Sequence, residues 1–280
     1  MSATASLPTL RSWDVKGWGL RAVALSYLAF LLLLPLAALV QDGFREGPGV
    51  FFSNIFRPTA WAALKLTLWT SALMAAVNGV IGTLTAYVLV RYRFFGKSLL
   101  NAVVDLPFAI PTLVTGVMLV ILYGPRDLLG GFFYQHFDWK ILFAPPAIVL
   151  ALLFVNYPIV VRSVQPVLEE LDFAEEEAAA TLGASSWRTF WRVVFPAIRP
   201  ALLSGVLLSF ARALGEFGSI VVVAGNLPLR SQTAAVYVWG EIESENRLGA
   251  SAMSIVLLAC SFTLVLVVDW LQRRKGRGRG

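Results

Sequence analysis

Residues 66–90 read LTLWTSALMAAVNGVIGTLTAYVLV, 25 residues with no charge among them. A helix rises about 1.5 Å per residue, so about 20 apolar residues cross the roughly 30 Å hydrocarbon core of a bilayer. A strand of a membrane barrel would alternate apolar and polar positions over about ten residues, and this run does not. It predicts a transmembrane helix. Five more stretches pass the same test: Ala22–Val40, Leu106–Tyr123, Ile141–Val161, Ala201–Ala224 and Ala250–Val268. Only Ala201–Ala224 contains charges, Arg212 and Glu216. The expected fold is an all-α integral membrane protein with six transmembrane helices in one domain over residues 22–268. An N-terminal segment (1–21) precedes it and a basic tail (269–280) follows.

Composition agrees with that reading. Apolar residues are 58% of the chain and charged residues 14%, with mean hydropathy +0.72. A soluble domain is about 45–50% apolar and about 25% charged, so soluble, disordered and disulfide-framework classes are excluded. Cys260 is the sole cysteine and His136 the sole histidine, which excludes an internal disulfide, a histidine metal cluster and a histidine-pair proton relay. The first apolar run is longer than a signal-peptide core and no cleavage site follows it, so it reads as an uncleaved span.

Lysine and arginine set the orientation. Of 23 such residues, fifteen fall in 1–21, 91–105, 162–200 and 269–280, and seven fall in the alternate segments. Arg212 is the one left inside a span. Both termini are expected in the cytoplasm, and the tail RRKGRGRG reads as a stop-transfer anchor facing anionic lipid rather than a nucleic-acid arm. Gly96-Lys97-Ser98 is not a phosphate loop, because Arg91 stands where that motif needs its first glycine. No cofactor is expected in this chain, and ATP binding is assigned elsewhere.

The longest inner segment, about 166–197, is the most organised. Asp172 and Glu175 have capping-box spacing for a helix through Ala178–Ala180, with acids in its first turn and Gly183 placed to end it. Ser185 or Ser186 is expected to cap a second helix. There Trp187, Phe190, Trp191 and Val194 form one apolar stripe, before Pro196 and Pro200 break the helix ahead of span five. From the residues alone, this is either an amphipathic connector on lipid or a docking element.

The run EEEAAATLGASSWRTFWRVVFP (175–196) resembles the EAA loop of ABC-importer permease subunits. The motif positions are Glu177, Ala178, Ala179, Gly183, Val193, Phe195 and Pro196, with Val193 and Phe195 replacing the more usual Ile and Leu. The resemblance implies a type I permease-like bundle whose short helix docks on a cytoplasmic ATPase through Glu177, Ala178, Ala179, Gly183, Ala184 and Ser185. DLPFAIPTLVTG (105–116), FVNYPIVVRSVQPVLEELD (154–172), FARALGEFGS (210–219) and VAGNLP (223–228) are similar to the sulfate/thiosulfate permeases, more to the T-type subunit than its W-type sister. The partners so implied are a W-type permease or a second copy, two ATPase subunits binding ATP and Mg, and a periplasmic sulfate-binding protein, all in a bacterial inner membrane. Molybdate or tungstate is the alternative cargo. A gradient-driven carrier is the alternative mechanism, opposed by Glu216 being the only acid in the six spans. A membrane-embedded enzyme ranks lower, since no catalytic set sits at membrane depth.

Arg212 and Glu216 are four apart and able to pair, with Ser209 and Ser219 extending their face. A mid-bilayer charge costs at least about 2.5–3.5 kcal/mol, so the pair must face protein or water. It is either a structural ion pair or part of the anion path. Pro107 and Pro111, followed by Thr112 and Thr115, predict an interrupted third span, which either lines the path or is merely kinked. Asn78 and Asn156 are expected to be interhelical hydrogen-bond glue.

Overall fold

The computed structural model describes residues 15–276, and every regular element among them is helical. The expected N-terminal segment 1–21 and basic tail 269–280 lie partly outside the described residues. The first span is α1 (Val15–Leu28) and α2 (Leu34–Gly43) joined by a π turn, and its most apolar window is not buried by any protein. Its α2 end packs on the bundle against the last helix. After a short α3 (Pro48–Ile55), α4 (Pro58–Arg91) runs 34 residues without interruption. It begins eight residues before the apolar run because Pro58 supplies a fixed φ where a helix needs no N–H donor.

The third span departs from a single helix. α5 (Lys97–Ala109) and α6 (Thr112–Tyr123) meet at 109°. The break is at Ile110-Pro111: Ile110 is extended, as a residue before proline tends to be, and Pro111 caps α6. Pro107, expected to share in the interruption, lies buried inside α5. Leu106, the expected first residue of the span, therefore belongs to the other limb.

α7 (Leu128–Phe137) precedes α8 (Pro145–Glu170), which starts later and ends later than the expected fourth span. α9 (Phe173–Thr181) and α10 (Ser186–Thr189) follow, then a π turn at Phe190–Val194 and α11 (Phe195–Leu214). The expected break at Pro196 and Pro200 does not occur, for the chain is helical from Ser186 to Leu214. Pro196 lies inside that continuous helix, two residues after the end of the π turn, and Pro200 lies further along α11. The π turn, where the Phe195 N–H bonds back to the Phe190 carbonyl, shifts the register just before Pro196.

The expected fifth span is also two pieces. α11 ends at Leu214, and α12 (Gly218–Ala224) resumes after three non-helical residues. α13 (Ala234–Glu243) and the long α14 (Arg247–Gly276) complete the chain. Five helices are long and apolar enough to cross a bilayer, and the bent pair α5–α6 makes a sixth candidate.

α4, α8 and α11 pack on one another at the centre, joined by α12 and α13. Met74, Ile148, Leu152, Ala213, Ile220 and Val236 form the core where these five helices meet. Toward the other end of α4, Ala86, Leu89, Val160, Val164, Leu168, Val194 and Ile198 form a second cluster. Asn78 donates through Nδ2 to the Leu153 carbonyl at 3.1 Å, fastening α4 to α8 as its lone polar position predicts. Such an interhelical bond contributes about 1 kcal/mol in a bilayer.

Candidate functional site

Two regions hold the residues singled out from sequence. The first is the loop after α8. Asp172 Oδ1 accepts from the Ala174 N–H at 3.0 Å and starts α9, with Glu175 and Glu176 in the first turn. At the other end the Gly183 N–H bonds the Ala180 carbonyl and the Ala184 N–H the Ala179 carbonyl. This is the Schellman pattern, and Gly183 takes the left-handed conformation it requires, φ +82°. The chain then turns into α10, capped by Ser185 Oγ accepting from the Arg188 N–H. Glu177, Ala178, Gly183 and Ser185 are exposed, Ala179 and Ala184 are partly so, and Leu182 stands out at 88% exposure. No residue of α9 is buried. The helix presents a short, small-residue face with an apolar tip and an acidic start. Of the second helix's stripe, Val194 is buried while Trp187 and Trp191 remain exposed.

Arg91, at the end of α4, carries no signal in the sequence beyond its charge. Its Nε lies 2.7 Å from Glu176 Oε1, and its Nη2 donates to the Leu171 carbonyl at 3.2 Å. Its guanidinium also sits 5.6 Å from the Phe173 ring centroid. Nearby on α4, the Tyr87 ring meets Phe190 edge-on at 5.8 Å.

The second region is the break in the fifth span. Arg212 is in the last turn of α11, where a cation suits the helix dipole. Glu216 lies past the helix end, so the two do not share one continuous helical face, yet Arg212 Nη1 still reaches Glu216 Oε2 at 3.5 Å. Glu216 is 6% exposed, and its Oε1 accepts from the Ser219 N–H at 3.3 Å and from Ser219 Oγ at 3.1 Å. The carboxylate thus caps α12. Arg212 Nη1 also donates to Asn156 Oδ1 of α8 at 3.0 Å. Its Nε and Nη2 donate to no described residue, and its side chain is 39% exposed.

That geometry leaves the two charges unequally spent. Glu216 is buried and largely occupied by Ser219, and its contact with Arg212 is long. A guanidinium offers five N–H donors in a fork suited to oxyanions. Arg212 therefore leaves most of its fork without a partner among the described residues, in a geometry that an oxyanion would match.

α6 closes against this break. A Cβ on Gly218 would meet Thr112 Oγ1, and one on Gly116 would lie 2.8 Å from the Ser219 carbonyl and from Val222 Cβ. Only glycine permits that approach of α6 to α12. Pro111, Thr112, Ser219, Glu216 and Arg212 are thereby connected through adjoining contacts, with Thr115 buried one turn along α6 beside Gly116. Ser209 is not brought in, since it is fully buried and its hydroxyl donates to the Val206 carbonyl of its own helix. Asn156, read as glue, is indeed interhelical, but its partner is the functional candidate Arg212.

A family model for the binding-protein-dependent transport system inner membrane component matches residues 78–277. Over 271 residues the chain is 41% identical to a probable sulfate transport system permease protein cysT of Chlorokybus atmophyticus, covering 97% of this chain and 92% of that one. It is also 41% identical over 254 residues to the sulfate transport system permease protein CysT of Escherichia coli (strain K12), covering 91% of each. Among solved structures, a bacterial ABC transporter involved in the import of the acidic polysaccharide alginate shares the fold, with TM-score 0.76 at 17% identity over 92% of this chain and 96% of that one.

Proposed function

The chain belongs to the family of binding-protein-dependent transport system inner membrane components, and on that premise we propose that it is the translocation subunit of an ATP-driven importer for sulfate or thiosulfate. It does no covalent chemistry of its own; ATP hydrolysis belongs to a separate ATPase subunit. The cargo assignment is supported by 41% identity over 97% of the chain to a probable sulfate permease. The arginine fork left open beside the broken fifth span gives that assignment a physical basis.

In this reading the six candidate spans carry both termini on the cytoplasmic side of a bacterial inner membrane. α9 docks on the ATPase, which holds ATP and Mg. A second permease subunit, of the W type or another copy of this chain, completes the membrane pore, and a periplasmic binding protein delivers the anion. Arg212 attracts a tetrahedral oxyanion, and Glu216, held on α12 by Ser219, limits that attraction so that the anion leaves again. Pro111, Thr112 and Thr115 set the broken third span against the same place. Ser209 and Pro107 support the walls by packing.

The test is purification of the tagged chain from native membranes, followed by labelled-sulfate uptake into vesicles. Co-purification of an ATPase in comparable amount and uptake that stops without ATP are the expected results. A lone chain that moves sulfate down an ion gradient without ATP would replace the importer with a secondary carrier.

A further inference from the structure

We propose that Arg91 is the positioning residue that makes α9 and α4 move as one body, so that α4 carries the displacement of the ATPase-docked helix across the membrane domain. The proposal rests on α9 being the docking helix, and it adds the joint through which that helix acts.

α9 has no buried residue, so it has no apolar face to hold it on the bundle. A helix of nine residues is also too short to hold a position by itself. Arg91 supplies the missing attachment. One guanidinium engages the loop at three points on either side of the start of α9: the Leu171 carbonyl, the Phe173 ring and the Glu176 carboxylate. Both charged side chains of the ion pair are only 10% exposed, so water and salt screen it little. A surface ion pair between mobile side chains contributes little to position, and this one has neither property.

The other end of the joint is built to transmit. α4 is continuous for 34 residues, about 51 Å at the helical rise. It is fastened along its length by buried and part-buried polar contacts to α8 and α13. The Thr85 hydroxyl meets the Tyr157 hydroxyl of α8 at 2.5 Å, and Asn78 bonds the Leu153 carbonyl. Thr67 Oγ1 accepts from the Ala234 N–H at the start of α13 at 2.8 Å. Thr67 lies about 36 Å along the axis from Arg91 by the same rise. Displacement of α9 thus has a direct route to α13, which packs on α14 and whose Trp239 ring lies 5.7 Å from that of Phe217 at the break in the fifth span. Without Arg91, α9 keeps the interaction of Glu176 with Tyr87 of α4, its own loop and the Tyr87–Phe190 contact further on, none of which carries a positive charge to hold the Glu176 carboxylate.

The experiment uses the full complex of this chain with its co-purified subunits, in liposomes with the binding protein. Nitroxide labels are placed at Leu73→Cys on α4 and Glu175→Cys on α9, both exposed, in a Cys260→Ser background. Their distance distribution is measured with and without ATP, together with sulfate imported per ATP hydrolysed. Arg91→Met and the gentler Glu176→Gln are expected to broaden the distribution. Import per ATP is expected to fall about tenfold, the size of a typical coupling energy, while the ATPase still co-purifies. Arg91→Lys, which keeps the charge, is expected to recover part of both. Distributions as narrow as the parent's in both Arg91→Met and Glu176→Gln would overturn the proposal, as would an unchanged import per ATP. A cross-link from Leu182→Cys to the ATPase reports docking separately: its absence in the parent would remove the docking reading itself, whatever Arg91 does. The distance measurement needs no knowledge of the cargo.

Discussion

Arg91–Glu176 and Arg212–Glu216 pair the same two residue types in opposite ways. The first joins residues from different helices at 2.7 Å, with both side chains 10% exposed. The second joins residues four apart across a helix break at 3.5 Å, with Glu216 6% and Arg212 39% exposed. In the first, the arginine lies against three protein groups at once and only 10% of its side chain is exposed, so little of it is open to a further group. In the second, the carboxylate is satisfied by Ser219 and the arginine is not. A closed pair suits a fixed joint, and an open pair suits a passing anion. Residue type alone does not distinguish them; what surrounds each charge does.

The joint side breaks most completely at Gly183. Its φ of +82° is one a β-branched L-residue resists, at about 1–2 kcal/mol for the left-handed conformation alone. Gly183→Val is expected to reduce sulfate uptake about a hundredfold or more, by unwinding the end of α9 where the small-residue face ends. The ATPase co-purified with the tagged variant should fall as well, while the amount of chain inserted in the membrane stays unchanged. Normal uptake with normal ATPase recovery would take Gly183 out of the mechanism.

Asn156 sharpens the open side. It is fully buried and holds Arg212 Nη1 at 3.0 Å, and a hydrogen bond to a charged group contributes about 1.5–3 kcal/mol. Asn156→Ala is expected to leave assembly intact and to lower uptake about tenfold, because Arg212 then keeps only its long contact with Glu216. Uptake equal to the parent's, measured on the same amount of complex, would show that the position of Arg212 does not matter. The smallest effect is expected at Ser209, whose hydroxyl serves its own helix. Ser209→Ala should change stability by no more than about 0.5 kcal/mol and leave uptake unaltered, and a large loss of uptake would return Ser209 to the path.

Much of this architecture is legible in the sequence because the bilayer core selects long apolar runs. Uncharged runs of 18 or more residues stand out, and the helix-capping spacing from Asp172 to Gly183 is local enough to read directly. The breaks were harder. Pro111 and Pro196 look alike in sequence, yet Pro111 separates two limbs while Pro196 is absorbed by the π turn before it. After α11 ends at Leu214, the Glu216 carboxylate accepts from the Ser219 N–H at the start of α12, an arrangement that an uninterrupted apolar pattern conceals. Arg91 and Asn156 were missed as site residues because their partners are 80 or more and 56 positions away. A lone arginine at the end of a span reads equally well as a topology signal.

The account turns on whether the open pair meets the anion or only holds the bundle. Arg212→Met with Glu216→Gln removes both charges, so no buried carboxylate is stranded, and glutamine keeps an amide oxygen for Ser219. The measurement is ATP-dependent uptake of labelled sulfate by this double variant, with the assembled complex quantified in the same membranes. The account predicts full assembly and uptake near background. Full assembly with uptake near the parent's would contradict it, leaving Arg212 and Glu216 a structural pair.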